Sequence, residues 1–462
     1  MVTRRDFLRT AGAAVCAAGL PLSADGFQTM RPNLLVILTD EQSADAASYR
    51  IGRRYLNTPN IDSLAANGTS FTRAYCANPL CVPSRTSMFT GRYPTETGVM
   101  DNTGLSEVHL DPRRFPIMGK IFEDGGYETA YFGKWHIACP EDQANIHGFT
   151  RMATTFNDDI AAELDAAEFL REKHDAPFLM VASFLNPHNI CEWARGQRLP
   201  LGAVGRPPAL EQCPPLRANH APQQNEPDIV ALMRRSYQAN PMFPVGDFNE
   251  RQWRDYLWAY YRMIEKVDAQ IGIVLDALRG SGHEENTLIV FLSDHGDCQG
   301  AHGWNQKTVF YEEASRVPLI LSRKGATANT SARLVNTGID LLPTLCDYAG
   351  IAAPGTLPGL SLKNPAIDPR RYVVVSNRMV QGAPIGGRVP HPDGRMVRGQ
   401  RYKYCVYSEG NRRESLVDLQ TDPGEMLNLA GDTHFSDVLH MHRAMLTEWC
   451  GVTRDSFAVP AS

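Results

Sequence analysis

Unbroken apolar runs recur along the chain, and a polar residue follows each of them. The clearest cover residues 33–39, 177–184 and 287–293. Runs without polar alternation are typical of strands that are buried on both faces of a parallel sheet. Asp40 and Asp294 directly follow the first and the third run. Because α/β folds bind ligands at the carboxyl ends of such strands, we expect a site there.

Helical periodicity appears between the apolar runs. The longest example is predicted over residues 249–279, with Asn249 as its cap and Gly280 as its stop. Its apolar stripe repeats every three or four residues: Ile264, Val267, Ile271, Val274 and Leu278. Alternating strands and helices predict an α/β fold with a large, mainly parallel sheet flanked by helices.

A second, smaller unit is predicted after the Gly- and Pro-rich stretch at 354–369. Short β-like runs at 372–375, 396–398 and 402–407 indicate a C-terminal α+β subdomain with an antiparallel sheet. We therefore place the catalytic domain at 28–353 and the subdomain at 354–462. Within the first, frequent prolines at 190–247 interrupt any long element, which predicts a substrate-shaping insertion.

The N-terminus has the pattern of an export signal. Arg4 and Arg5 precede a run of small and apolar residues at 11–22, which predicts a twin-arginine signal over residues 1–27. The expected location is the periplasm or the outside of the cell. No later segment has the length of apolar residues that a membrane span needs, so we predict no transmembrane segment.

Composition removes two further classes of function. The net charge of −5 excludes a globally basic nucleic-acid binder, so no nucleic acid is expected as a partner. The ten cysteines include no Cys-x-x-Cys pair, which argues against structural zinc.

The stretch at 76–94 carries the strongest chemical signal. Pro83 suits the first position of a helix and Gly91 suits its end, so the pattern predicts a short helix. Cys81 would then lie at the positive end of the helix, with Arg85 one turn further on. A cysteine in that position is electrostatically activated, because helix N-termini and nearby cations favour a thiolate.

The residues from Cys81 to Arg92 read Cys-x-Pro-Ser-Arg-x-x-Met-x-Thr-Gly-Arg. This run resembles the signature of the formylglycine-dependent sulfatases, which belong to the alkaline-phosphatase-like superfamily. In that family a maturation enzyme oxidises the cysteine to formylglycine. The resemblance therefore implies this modification at Cys81, and a formylglycine-generating enzyme as a partner. It covers essentially the whole mature chain.

The resemblance also implies roles for polar residues at the predicted strand ends. Lys134 would bridge the formylglycine and the sulfate, and His136 would act on the formylglycine hydroxyl. His188 would contact the sulfate and the leaving-group oxygen, and Lys307 would bind the sulfate. Arg85 would stabilise the hydrated formylglycine.

A divalent cation is the second cofactor that the resemblance implies. Its expected ligands are Asp40, Glu41, Cys81 as formylglycine, Asp294 and His295. Glu41 stands where the family most often has a second aspartate. Carboxylate oxygens favour a hard cation, so we expect Ca²⁺, with Mg²⁺ or another divalent ion as the alternative.

Together these residues imply hydrolysis of sulfate esters, with a sulfated saccharide or other small sulfated molecule as substrate. A hydroxyl of the hydrated formylglycine would attack sulfur, and His188 or Lys307 would protonate the departing alcohol. With His136 as base, the second hydroxyl would expel sulfate and restore the aldehyde.

Three alternatives remain at the level of sequence. A phosphonate or phosphate monoester hydrolase of the same superfamily would keep much of the pocket. A hydrolase with a plain cysteine nucleophile would need neither the modification nor the metal. A non-catalytic binder of sulfated glycans would use eight basic residues at 370–403, although such a run of charge is usually a solvated face.

Overall fold

A computed structural model describes residues 31–355, 357–364 and 370–461. The predicted export signal at 1–27 lies outside these ranges. Within them, no helix combines the length and apolar character needed to cross a membrane.

Eight strands form the large sheet, in the order β4-β3-β5-β1-β6-β7-β2-β8. Only β7 runs antiparallel to its neighbours. The strands are β1 Asn33–Asp40, β2 Gly68–Tyr75, β3 Glu128–Gly133, β4 Arg151–Thr154, β5 Phe178–Pro187, β6 Thr287–Ser293, β7 Leu319–Ser322 and β8 Asn329–Asn336. The mainly parallel sheet predicted from the apolar runs is confirmed.

Helices cover both faces of this sheet and extend into the C-terminal region. They are α1 Ser48–Ile51, α2 Pro59–Ala66, α3 Cys81–Thr90, α4 Pro94–Thr97, α5 Gly104–Glu107, α6 Met118–Asp124, α7 Ala144–His147, α8 Asp159–Arg171, α9 Ile190–Ala194, α10 Asp228–Gln238, α11 Glu250–Ser281, α12 Glu312–Ser315, α13 Thr337–Ala349 and α14 Ser436–Thr453.

The central strand β1 shows how the sheet separates two apolar layers. Val36 and its alternate neighbours pack on the side of α3, α6 and α13. Ile37 packs on the other side, against α2, α8 and α11. Successive side chains of a strand point to opposite faces, so an unbroken apolar run supplies both layers. This burial fixes the register of β1 and therefore the position of Asp40 at its end.

Four antiparallel strands form the C-terminal sheet, in the order β12-β11-β10-β9. They are β9 Val373–Arg378, β10 Asp393–Arg398, β11 Tyr402–Tyr407 and β12 Glu414–Asp418, and α14 packs on one face of the sheet. The predicted fold class is therefore confirmed in both of its parts. Asn336 and Ala77 of the large domain hydrogen bond to the backbone of β9.

The long helix α11 follows its prediction closely. Asn249 caps it by accepting a hydrogen bond from the N–H of Gln252, and the Gln252 side chain accepts one from the N–H of Asn249. The helix ends at Ser281, and Gly282 is its C-cap, two residues beyond the predicted stop, where a φ of 80° favours glycine. Asp268 within it accepts hydrogen bonds from the N–H groups of Asn60 and Ile61 at the start of α2, which is a structural role.

The Pro-rich segment at 190–247 contains more regular structure than its composition predicts. Its prolines leave a gap between Pro227 and Pro241, and the eleven-residue helix α10 forms there. Pro227 directly precedes this helix, a position that needs no N–H donor. The expectation that prolines interrupt every long element of this segment was wrong for α10.

The basic residues at 370–403 are mostly paired with carboxylates. Six of the eight form ion pairs: Arg370–Asp340, Arg378–Asp393, Arg388–Glu409, Arg395–Asp455, Arg401–Asp418 and Lys403–Glu425. Arg398 is buried and donates to the hydroxyl of Tyr75. Their charge is thus largely neutralised within the fold, which weakens the case for a polyanion-binding patch.

Candidate active site

Neighbouring strands β3, β5, β1 and β6 bring their carboxyl ends together at one edge of the sheet. Asp40 ends β1 and Asp294 follows β6, while Lys134 follows β3 and His188 follows β5. Helix α3 begins at this edge with Cys81. Parallel pairing thus places residues from distant parts of the sequence around Cys81.

The local structure of the signature places Cys81 at the first turn of α3. Leu80 is extended and precedes the helix, and every residue of α3 is buried. The helix begins two residues before Pro83, which was predicted as its first residue; the third residue of a helix also needs no N–H donor. Gly91 ends it with a φ of 65°, as its sequence position predicts. The side chain of Asn102 accepts a hydrogen bond from the N–H of Val82 at 3.2 Å. One of the free N–H groups at the helix start is therefore satisfied.

Arg85, one turn after Cys81, connects several parts of the site through hydrogen bonds. Its Nε donates to Asp294 at 2.7 Å, and its Nη2 donates to Asp40 at 3.1 Å. Its Nη1 donates at 2.9 Å both to the carbonyl of Lys134 and to the hydroxyl of Ser183. The guanidinium is fully buried, so it compensates two buried carboxylates and orients them at once.

Four buried residues form a cluster that could hold a cation. One potential ligand atom from each of Asp40, Cys81, Asp294 and His295 lies within 4.8 Å of the others. The Sγ of Cys81 is 3.2 Å from His295 Nε2 and 3.9 Å from Asp40 Oδ1. This sulfur belongs to the unmodified cysteine and stands where a formylglycine at position 81 would present its oxygen. Two carboxylates, an imidazole and an oxygen at residue 81 are a donor set that fits a divalent cation.

Glu41 lies beside this cluster but is not one of its four members. Its Oε2 accepts a hydrogen bond from Lys307 Nζ at 2.7 Å and lies 3.7 Å from His188 Nε2. The Sγ of Cys191 is 3.6 Å from the same oxygen. A φ of 70° at Glu41 turns the chain directly after Asp40. The two consecutive acidic residues therefore pair with different cations: Asp40 with Arg85 and Lys134, and Glu41 with Lys307.

The remaining predicted residues surround Cys81 from the side of β3 and β5. Lys134 Nζ pairs with Asp40 and is almost completely buried. His136 adopts a φ of 50°, and His188 keeps 18% of its side chain exposed. The structure thus brings all of the predicted site residues to one edge of the sheet.

The pocket favours negative charge at its centre. Burial opposes a charge on Asp40, yet Lys134 and Arg85 are among the cations that hold the pKa of this carboxyl well below its usual range. Burial also opposes a thiolate at Cys81, but Lys134 and Lys307 lower the pKa of the thiol well below its ordinary value. An anion that enters here meets charges of the opposite sign.

Burial acts differently on the groups around Glu41. It raises the pKa of Glu41 to about 8, although Lys307 partly offsets the effect. Burial, together with the charge of Lys307, lowers the pKa of His188 to about 4. Burial also opposes a charge on His295, but Asp294 and the Cys81 thiolate raise its pKa to about 9. Positive charge in this part of the site is concentrated on Lys307 and His295.

Sequence reasoning missed two contributors to the site. Ser183 accepts from Arg85 and donates to the carbonyl of Lys134 at 2.8 Å. Its only signal was a hydroxyl within an otherwise apolar strand. Cys191 lies against Glu41 and carried no signal, because nothing in the sequence links the two positions.

The chain matches the sulfatase family description over residues 32–351. The chain belongs to the sulfatase family. The description of the N-sulphoglucosamine sulphohydrolase C-terminal region also matches, over residues 300–450. This membership makes the protein a sulfuric ester hydrolase and confirms the resemblance seen at Cys81.

Two curated relatives of this sulfatase have names that point to carbohydrates. The chain is 32% identical to a Delta 4,5-hexuronate-2-O-sulfatase of Bacteroides thetaiotaomicron, covering 96% of this chain and 93% of the relative. It is 29% identical to an ulvan-active sulfatase of Formosa agariphila, covering 92% of this chain and 82% of the relative.

A solved structure supports the same assignment for this sulfatase. The fold resembles that of a 2-O GAG sulfatase with a TM-score of 0.80 and 30% sequence identity. The similarity covers 94% of this chain and 95% of the other. The similarity therefore extends over nearly the whole length of both chains.

Proposed function

We propose that this sulfatase hydrolyses sulfate esters of carbohydrates, using a formylglycine made from Cys81 and a bound divalent cation. The observation that carries the proposal is the cluster of Asp40, Cys81, Asp294 and His295 at the start of α3. Lys134 and Lys307 add positive charge beside it. A sulfate ester repels nucleophiles through its anionic oxygens, so its hydrolysis needs such a pocket.

Asp40, Asp294, His295 and the oxygen of residue 81 would hold the cation, with Ca²⁺ as the expected ion. When bound, the cation neutralises charge on the sulfate oxygens and on the nucleophile. Glu41 is the remaining ligand that the family resemblance implies. Its contact with Lys307 supports a different role, namely fixing the position of the ammonium group.

The surrounding side chains supply binding and proton transfer. The formylglycine at position 81 provides, as its hydrate, a hydroxyl nucleophile. Lys134 and Lys307 bind the sulfate oxygens. Arg85 fixes the positions of the two aspartates beside residue 81. Lys307, which keeps its positive charge, protonates the leaving oxygen, His188 contacts that oxygen, and His136 accepts a proton from the remaining hydroxyl.

The names of the relatives support a carbohydrate as the substrate. Both curated relatives described above are named for sulfated saccharides, and the similar structure is that of a 2-O GAG sulfatase. The cysteine requires a formylglycine-generating enzyme as a partner. Arg4, Arg5 and the apolar run after them support export through the twin-arginine route, which carries folded proteins.

Removal of the cation is expected to stop catalysis. Treatment with a chelator should lower kcat/KM for a sulfated saccharide by at least about 100-fold. The bound ion stabilises the charge of the transition state and lowers the activation free energy by several kcal/mol. Added Ca²⁺ should restore the rate, and circular dichroism should show that the fold persists without it. Full turnover by metal-stripped protein would remove the cation from the mechanism.

The choice of ester separates this proposal from a phosphonate or phosphate monoester hydrolase. Aryl sulfate, aryl phosphate and phenyl phosphonate esters with the same leaving group should be compared by kcat/KM. We expect the highest value for the sulfate, and release of sulfate from at least one saccharide in a sulfated panel. A preference for the phosphonate would contradict the proposal.

A further inference from the structure

Phe156 is an exposed aromatic residue beside the candidate active site. Its side chain is 50% exposed, the largest value among the aromatic residues that the structure describes. Single exposed apolar residues are common on protein surfaces, so exposure alone does not indicate a function. The position of this ring relative to the site makes it informative.

Backbone and capping contacts hold the loop that carries Phe156. The N–H of Thr155 donates to the carbonyl of Gly133 at 3.1 Å, directly before Lys134. On the other side, Asp158 caps α8 by accepting from the N–H of Ala161 at 2.9 Å. The ring is therefore presented from a loop that is fixed at both ends.

Two site residues contact this ring. Lys134 Nζ lies 5.0 Å from the centroid of the Phe156 ring, and the ring of His136 lies 5.5 Å away in an edge-on arrangement. Lys134 also pairs with Asp40 in the cation cluster. A sugar whose sulfate reaches Lys134 and His136 must therefore place its ring, or the adjoining one, close to Phe156.

We propose that Phe156 is a substrate-binding platform, on which the apolar C–H face of a pyranose ring stacks. This inference rests on the proposed hydrolysis of carbohydrate sulfates. Burial of the exposed half of the ring by sugar C–H groups gains hydrophobic and dispersion energy without adding charge to the site. The charged groups bind the sulfate, and Phe156 selects a leaving group with an apolar face.

Steady-state kinetics on a sulfated saccharide that the wild-type enzyme hydrolyses test this role. Phe156→Ala should raise KM about five- to tenfold, since burial of roughly half a phenyl side chain is lost. The kcat should change less than KM, because the ring contacts no reacting atom. Phe156→Trp should retain a KM near that of the wild type. Ile160→Ala serves as the matched control, because that side chain is 53% exposed on neighbouring α8.

Equilibrium binding provides a second measurement that does not need turnover. Isothermal titration of the saccharide into Cys81→Ser, with and without Phe156→Ala, should show the same five- to tenfold loss of affinity. Unchanged KM and affinity in Phe156→Ala would overturn the inference. A lower kcat at constant KM would also overturn it, since Phe156 would then act through Lys134. Lack of wild-type turnover would instead refute the proposed function, and the titration would still test the platform.

Discussion

Cys81→Ser should abolish sulfate ester hydrolysis, with a loss in kcat of at least about 1,000-fold. The proposed maturation enzyme oxidises a cysteine, so a serine at position 81 stays unmodified. Serine has one hydroxyl, and the second hydroxyl of the hydrated aldehyde, which would expel sulfate, is then missing. The fold should persist, because the smaller serine introduces no steric overlap and Arg85 still pairs with both aspartates. Release of sulfate from a saccharide and thermal unfolding are the two measurements.

A second cysteine provides the control for this variant. Cys450 is buried in α14, on the C-terminal sheet, and Cys450→Ser should retain the wild-type rate. Mass spectrometry of the peptide across Cys81 should show the aldehyde in active enzyme that was produced with a maturation enzyme. Full activity of protein whose Cys81 is entirely an unmodified thiol would refute the formylglycine mechanism and favour a plain cysteine nucleophile.

Arg85→Met should destabilise the protein by ~3–5 kcal/mol, because it leaves Asp294 buried without its guanidinium partner and leaves Asp40 with Lys134 as its remaining ion-pair partner. Both ion pairs are fully buried, at 3.1 Å and 2.7 Å. Arg85→Lys should fall between the wild type and Arg85→Met, since one ammonium group cannot reach both carboxylates and the carbonyl of Lys134. Urea unfolding of the chelated proteins measures the difference without a contribution from bound metal.

An exposed ion pair supplies the comparison for Arg85. Arg378 and Asp393 are 44% and 32% exposed, so Arg378→Met should cost less than about 1 kcal/mol. Equal losses in Arg378→Met and Arg85→Met would show that Arg85 does not compensate the buried aspartates. In that case the network beneath Cys81 would contribute little to the stability of the site.

Local patterns in the sequence were sufficient to predict several parts of the fold and site. An unbroken apolar run ends at Asp40, and Pro83 and Gly91 mark a short helix with Cys81 at its N-terminal end. Strand burial and helix capping depend on residues a few positions apart, so the sequence carries them directly. Parallel strands then require their carboxyl ends to share an edge.

Contacts between distant residues limited the rest of the prediction. The sequence places Glu41 next to Asp40, yet the fold directs it to Lys307, 266 positions away. Ser183 gave no sign of its hydrogen bond to Arg85, which spans 98 positions. Composition also concealed α10, because the spacing of prolines decides where a helix can form, and their number does not.

By itself, the sequence determined the signature helix, the alternating α/β order and the identity of the polar residues at the strand ends. Tertiary structure decided how those residues group: Asp40 with Arg85 and Lys134, Glu41 with Lys307, and Phe156 against Lys134. The physical reason is that apolar periodicity fixes each strand and helix locally. Grouping at the site depends on sheet order and loop paths, which arise only when the elements pack together.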